Sequence, residues 1–414
     1  MRFSSSALIC CSLLTTLSAA PLNIESAIQQ FVDHNYDLLI ARNQVQKSKT
    51  SLITAKERPN PTLSASYEFM NIEKHFGDTS PGSNAQATLI LSHPIETAGK
   101  RDRRIDLANH EIMLESLLYE AMLRTRIEEL VEAFYAVVKD ETDLFDANEN
   151  AKSYADVVTV AKAKLDNGFL SRIDYQKILL QQVEYAKEVE NASLSLERDK
   201  ETLAAILALP SSEITDAVPA DIPDTVPGLD ELLAVAADRP DCKAAKENIS
   251  LSDAALKLEQ ANAVPNVTVG AEYASFGPNY QPLAGVNVSI PLPVYDRNEG
   301  EIEKARIETL QSAAAYEKTV RMAKAEIVHS LAELRSRQNV YRIVSEGFSA
   351  AKELKEKQEK IFALKGISVL ELLDSQKNYR EYQKNMSHAL ADLQIAQTRL
   401  KLMTGSLIPE SKGL

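Results

Sequence analysis

Hydrophobic and polar positions along this 414-residue chain change their period in a fixed order, and they do so twice. Apolar residues first recur at helical spacing over 22–58 with no Gly or Pro, through Ile24, Ile28, Val32, Leu38, Val45 and Leu52, which predicts one helix of about 35 residues. After Pro59 the period falls to two. Leu63, Ala65, Tyr67 and Phe69 alternate with Thr62, Ser64, Ser66 and Glu68, and Ala85, Ala87, Leu89 and Leu91 repeat the alternation until Pro94. These are two strands with unlike faces, at about 62–70 and 84–93. From Lys100 the helical period returns and meets no Gly or Pro until Asn167 and Gly168 stop it. At roughly 1.5 Å per residue this predicts a rod of about 100 Å. A helix about half as long follows, from about Ile173 to Leu209.

The second copy repeats the order. Val267, Val269, Ala271 and Tyr273, then Ala284, Val286, Val288 and Ile290, predict strands at about 266–276 and 283–290. A long helical pattern runs over 301–365, interrupted only by Gly347, and a shorter one over 369–403. Aligning Pro94 with Pro291 sets Lys100 opposite Arg297 and Asp174 opposite Glu371, a constant offset of 197. A repeat of this size is an architecture. The expected organisation is a first repeat over 21–209 with a helical tip near 168 and a linker over 210–228 with four prolines; a second repeat over 229–405 with a tip near 366 and a tail over 406–414 complete it. Two short helices stacked end to end match one long helix, which would set the linker near the middle of the rod.

Each strand has the length a tilted strand needs to cross a bilayer, about ten residues. Four strands per chain are too few to close a membrane barrel, for which about eight is the small limit, and open edges are not tolerated in lipid. Three chains would supply twelve strands and an even-numbered barrel, with helices continuing it as a hollow cylinder. A small soluble sheet capping a coiled coil is the alternative.

Composition adds an address and removes some functions. The chain lacks Trp and has 13 Gly, which suits long helices better than several compact cores. Residues 1–20 carry one basic residue, an apolar stretch over 7–17 and small Ser18, Ala19 and Ala20, the pattern of a cleavable signal peptide. Cys10 and Cys11 lie in no convincing lipobox, so lipidation is not expected. Cleavage would leave Cys242 as the only thiol and exclude an internal disulfide. A net charge of -13 leaves no basic surface to neutralise phosphates, so no nucleic-acid partner is expected. The six histidines are scattered without metal-ligand spacing, and no nucleophile–base pair or phosphate loop is present, so neither metal site, cofactor nor enzyme is predicted.

Five segments stand out: RPNPTLSASYEF at 58–69, HPIETAGKR at 93–101, SIPLPVYDRNEGEI at 289–302, NGFLSRID at 167–174 and KGISVLELLDSQ at 365–376. Through them nearly the whole chain after the export segment resembles the TolC-like outer membrane efflux protein family, and within it the cobalt-zinc-cadmium resistance branch. Five such segments in this order and spacing are specific. The resemblance implies a mainly α fold with membrane β: a homotrimer with a 12-stranded β-barrel amid outer membrane lipid and an α-helical barrel in the periplasm. It implies docking on a periplasmic adaptor (membrane fusion) protein joined to an inner-membrane pump of RND type. Such a protein is a passive exit duct, with heavy-metal cations a candidate cargo. The alternatives are a duct for type I protein secretion or drug export, and a structural coiled-coil protein of the envelope.

In the family the glycine-containing tip is the adaptor contact. Residue by residue, the resemblance carries that role to Gly168, Phe169, Leu170 and Ser171, and to Gly366, Ile367 and Ser368. Gly366 departs from the pattern, standing one place later than Gly168 by the offset. Just past the tips lie Asp174, Glu371 and Asp374, each of which would recur three times in a trimer as an acidic ring that attracts cations. They are expected to form a constriction, with Arg172 and Lys365 as basic partners holding it closed and Asp374 the leading candidate. Solvated helix carboxylates are the plain alternative. Tyr67, Phe69, Tyr273 and Phe276 suit an interfacial aromatic girdle or ordinary strand packing. Arg101, Arg103 and Arg104 suit a solvated helix start or contact with lipid headgroups.

Overall fold

The computed structural model describes residues 22–69, 85–214, 217–218, 228–276, 281–364, 366–405 and 407. The expected signal peptide, parts of the linker, most of the tail and the expected gate partner Lys365 lie outside them. The elements in order are β1 (Leu22–Asn23), α1 (Ile24–His34), α2 (Tyr36–Lys56), β2 (Thr62–Phe69), β3 (Ala85–Ile95), α3 (Lys100–Asp166) and α4 (Arg172–Leu207). After these come β4 (Ala217–Val218), α5 (Leu229–Ala234), α6 (Pro240–Asn262), β5 (Val267–Phe276), β6 (Leu283–Ser289), α7 (Glu299–Ala363) and α8 (Val369–Met403). The chain forms two compact units, and each draws on both sequence repeats. The first takes Met1–Asn35, Ile127–Val226 and Ala332–Leu400; the second takes Tyr36–Arg126, Pro227–Leu331 and Lys401–Leu414.

In the first unit, β1 pairs in parallel with β4, Leu22 opposite Ala217. Asn23 then starts α1 with a capping box, its side chain accepting from the Ser26 N–H while Ser26 Oγ accepts from the Asn23 N–H. α1 buries Ile24, Ala27, Ile28 and Phe31, the 3.6-residue stripe. The single helix expected over 22–58 is broken at Asn35, whose ψ of 131° is extended. The reason is a long-range bond: the Asn35 amide donates to the Ile206 carbonyl at 2.8 Å, near the end of α4. α8 is tied to α3 through Arg399, which pairs with Glu128 at 2.5 Å and Glu132 at 2.7 Å, and to α7 through Glu333 at 3.2 Å.

In the second unit, four strands form an antiparallel sheet in the order β2-β3-β5-β6, so β2 and β6 are its edges. Register sets Leu63 opposite Leu91, Leu89 opposite Tyr273, and Ala271 opposite Val286. Side chains alternate along a strand, so these positions share one face. That face carries Leu63, Tyr67, Leu89, Leu91, Tyr273, Val286 and Val288, all exposed. The opposite face is mostly polar, carrying Ser64, Ser66, Thr88, Glu272, Asn287 and Ser289 with Ile90 and Leu283 among them. β3 runs through Pro94 to Ile95 rather than stopping before the proline. Past Ser92, which faces the first residue of β2, only β5 lies beside it, so β3 needs no donor there on its other side. Gly270 leaves room on the polar face for the Asn287 side chain, which a Cβ there would displace.

The segment HPIETAGKR proves to be a junction. Ala98 and Gly99 take left-handed φ of 55° and 66°, turning the chain from β3 into α3. The Lys100 ammonium donates to the Val264 carbonyl and to Asn266 Oδ1, both at 2.6 Å. Arg101 donates to the Lys56 carbonyl at 2.8 Å and Arg104 to the Glu57 carbonyl at 3.2 Å, while Arg104 also pairs with Glu96. Arg101 and Arg104 therefore satisfy the C-terminal end of α2 rather than standing free in solvent.

Candidate functional site

Each repeat ends in a helical hairpin tip, and both tips belong to the first unit. α3 closes with a Schellman motif. The Phe169 N–H donates to the Lys164 carbonyl at 2.8 Å and the Gly168 N–H to the Leu165 carbonyl at 2.9 Å. Gly168 is left-handed at φ +72°, and nothing stands within 4 Å of where its Cβ would be. α4 then begins at Ser171, whose Oγ accepts from the Asp174 N–H at 3.0 Å and donates to Asp174 Oδ2 at 2.8 Å.

The second tip keeps this plan with one shift. The Gly366 N–H donates to the Ile361 carbonyl at 2.9 Å, a bond five residues back like that of Phe169. By the offset of 197, Gly366 stands where Phe169 stands, which accounts for its late position. Its lack of a side chain serves a close approach, since a Cβ would meet Ile361 Cγ2 at 2.4 Å. α8 begins with a reciprocal capping box: the Ser368 N–H donates to Glu371 Oε2 at 2.9 Å and the Glu371 N–H to Ser368 Oγ at 3.3 Å. Asp174 and Glu371 are thus equivalent for a local reason, because each is the third residue of a serine-capped helix.

The acidic residues differ in what neutralises them. Asp174 pairs with Lys177 at 3.0 Å, not with Arg172. Lys177 and Ser171 hold its carboxyl below the usual range. At the second tip the residue equivalent to Lys177 is Asp374, so Glu371 and Asp374 stand one turn apart with no base between them. Asp374 is exposed and, among the described residues, accepts only from the Asn378 amide at 3.3 Å. The second tip is the more acidic.

One apolar cluster joins the two tips. Tyr154, Ala161 and Ile178 of the first hairpin pack with Phe362, Val369 and Leu372 of the second, and Leu170 and Ile367 lie against them. Leu170 and Ile367 are therefore half-buried tip supports rather than open contact surface. Phe169 is 62% exposed, and so are two residues the sequence analysis passed over, Ile173 at 68% and Leu370 at 64%. These two are related by the same offset of 197, the signal that would have found them. Also missed was Lys164. It is buried, its ammonium donates to the Phe362 carbonyl at the end of α7 and lies 4.0 Å from the Phe362 ring centroid. A cation on the last carbonyls of a helix is favoured by the helix dipole. Among the described residues no group of His, Cys, Asp or Glu could hold a metal ion, and no helix is long and apolar enough to cross a membrane.

The family model described as "Outer membrane efflux protein" matches residues 27–209 and 233–406. The cobalt-zinc-cadmium resistance protein CzcC of Cupriavidus metallidurans is 24% identical over 343 residues, covering 81% of this chain and 80% of the relative. Among solved structures, CusC superposes with a TM-score of 0.75 at 15% identity over 92% of this chain and 91% of that one. The outer-membrane channel OprN gives 0.75 at 17% identity over 93% and 91%. VceC of Vibrio cholerae gives 0.74 at 16% identity over 92% and 96%.

Proposed function

The chain belongs to the outer membrane efflux protein family, and on that premise we propose that its two helical tips are the docking and gating end of the duct. The protein is the outer membrane channel of a tripartite efflux system, conducting passively and performing no bond chemistry. It works as a homotrimer with a β-barrel in the outer membrane and an α-helical barrel in the periplasm, alongside a periplasmic adaptor and an inner-membrane RND pump. The observation that carries the reading is the sheet of β2, β3, β5 and β6. It has one continuous apolar face, one mostly polar face and two unpaired edges, which lipid forbids unless further copies close the ring.

At the tips, Phe169, Ile173 and Leu370 supply exposed apolar surface for the adaptor, with Gly168 and Ser171 on one hairpin and Gly366 and Ser368 on the other shaping the backbone between them. Leu170 and Ile367 support that surface from beneath. Glu371 and Asp374 form the constriction: neither pairs with a base among the described residues, whereas Asp174 is already satisfied by Lys177. The name of the relative CzcC supports heavy-metal cations as cargo.

The test is single-channel conductance of the purified chain in planar bilayers. Small, cation-preferring openings that widen in Asp374→Ala support the gated duct. Openings that are indifferent to Asp374→Ala remove the acidic constriction. A protein that stays soluble without detergent and never conducts removes the duct itself.

A further inference from the structure

Away from the tips, α3, α4 and α8 line a half-open polar cavity of about 410 Å³ within the first unit. Three carboxylates of α3 line it, Asp140, Asp143 and Asp146. A three-residue step turns a helix by about 300°, so the three span about a third of its circumference. Around them α3 also presents Lys139, α4 presents Glu184, Lys187 and Glu188, and α8 presents Arg380, Lys384 and His388.

Most of these charges are matched. Lys187 pairs with Glu184 at 3.1 Å, and Arg380 with Glu188 at 2.7 Å while lying over the Tyr185 ring. Asp143 accepts from the Ser387 hydroxyl at 2.5 Å and faces His388 Nε2 at 3.3 Å. Burial works against the charge of Asp143, but His388 and Ser387 outweigh it and hold its carboxyl below the usual range.

Asp146 and Asp140 are the exceptions. Asp146 has no cationic partner among the described residues. It is bonded by the neutral Gln383 amide, feels the charge of Asp143, and itself acts on the buried Tyr379 of α8. Gln383 is in turn held by the Asn150 amide at 2.8 Å. Asp140 is 3% exposed. One of its oxygens pairs with Lys139 at 3.0 Å, while Oδ2 is buried without a donor and the carboxyl stands beside that of Asp199, which Arg198 holds at 2.8 Å. A buried carboxylate oxygen with no donor is costly, and a proton taken up by Asp140 lowers that cost.

We propose that this cavity is a proton-set latch: taking up protons at Asp146 and Asp140 removes buried negative charge from the α3 face and draws the first hairpin onto the helix that follows the second tip. The inference does not depend on the adaptor reading of the tips. Burial supports it in direction, pushing the Asp146 carboxyl up to about 6 and the Asp140 carboxyl above its usual range. A carboxyl raised by folding gives stabilisation that is full below its unfolded value of about 4. For Asp146 that stabilisation is lost as pH rises through about 6.

The test is hydrogen exchange of α8 residues 378–389 in the detergent-solubilised full chain at pH 5.5 and 7.5, corrected for intrinsic rates. With Asp146 titrating at about 6, opening of α8 should be roughly fourfold rarer at the lower pH. The isosteric Asp146→Asn should remove most of that difference, and Asp140→Asn with Asp146→Asn all of it. His388→Gln should leave it in place. A flat wild-type response, a difference that survives in the double variant, or one abolished by His388→Gln alone would each overturn the latch.

Discussion

Single residues show how this chain uses local chemistry at one point and distant chemistry at another. Ser171 with Asp174 and Ser368 with Glu371 are caps that bond three residues apart. Lys164 differs, because the carbonyl it satisfies lies 198 residues further along the chain. Replacing it by Met keeps the apolar stem and deletes the ammonium, leaving the Phe362 carbonyl without its donor. We expect Lys164→Met to lower stability by about 1–3 kcal/mol, read by chemical unfolding of the detergent-solubilised protein. Unchanged stability would mean that the contact with the Phe362 ring and backbone contributes little.

At the scale of elements, the informative feature is which face each one turns outward. α1 turns its apolar stripe inward, whereas the four-stranded sheet presents its apolar residues and carries mostly polar groups behind them. That inversion is what a bilayer as solvent demands. Val286→Arg on the apolar face should therefore cost up to about 2–4 kcal/mol, with the full value near the bilayer midplane. Ser66→Arg, on the other face, should be close to neutral. Folding into lipid vesicles measures both, and equal penalties would deny the sheet a lipid-facing side. Tyr67 and Tyr273 lie on this apolar face, as a girdle requires; the side chains of Phe69 and Phe276 lie outside the described residues.

For the whole molecule, the two open edges set the assembly. β2 of one copy must find β6 of another, or both remain unpaired in lipid. Cysteines on the polar face of each edge, Ser64→Cys with Gly285→Cys, Asn287→Cys or Ser289→Cys in turn, scan the register between copies. The native Cys242 is buried and does not compete. Oxidation in membranes should give a covalent ladder that ends at three copies for at least one pair. A ladder that continues past three, or none at any register, would contradict ring closure by three chains.

By itself the sequence determined the long helices α3, α4, α7 and α8, the four strands of the sheet, the duplication and the pairing of the tips. Hydrophobic period is a local property, and an offset of 197 maps Ser171 onto Ser368 and Ile173 onto Leu370 without any coordinates. Only the tertiary structure decided the break at Asn35, the inward turn of Leu170 and Ile367, the clasp of Lys164 on Phe362 and the carboxylates facing His388. Each of these depends on a partner remote in sequence. Whether a polar group is satisfied, paired or left buried without a donor is settled by what folding brings beside it.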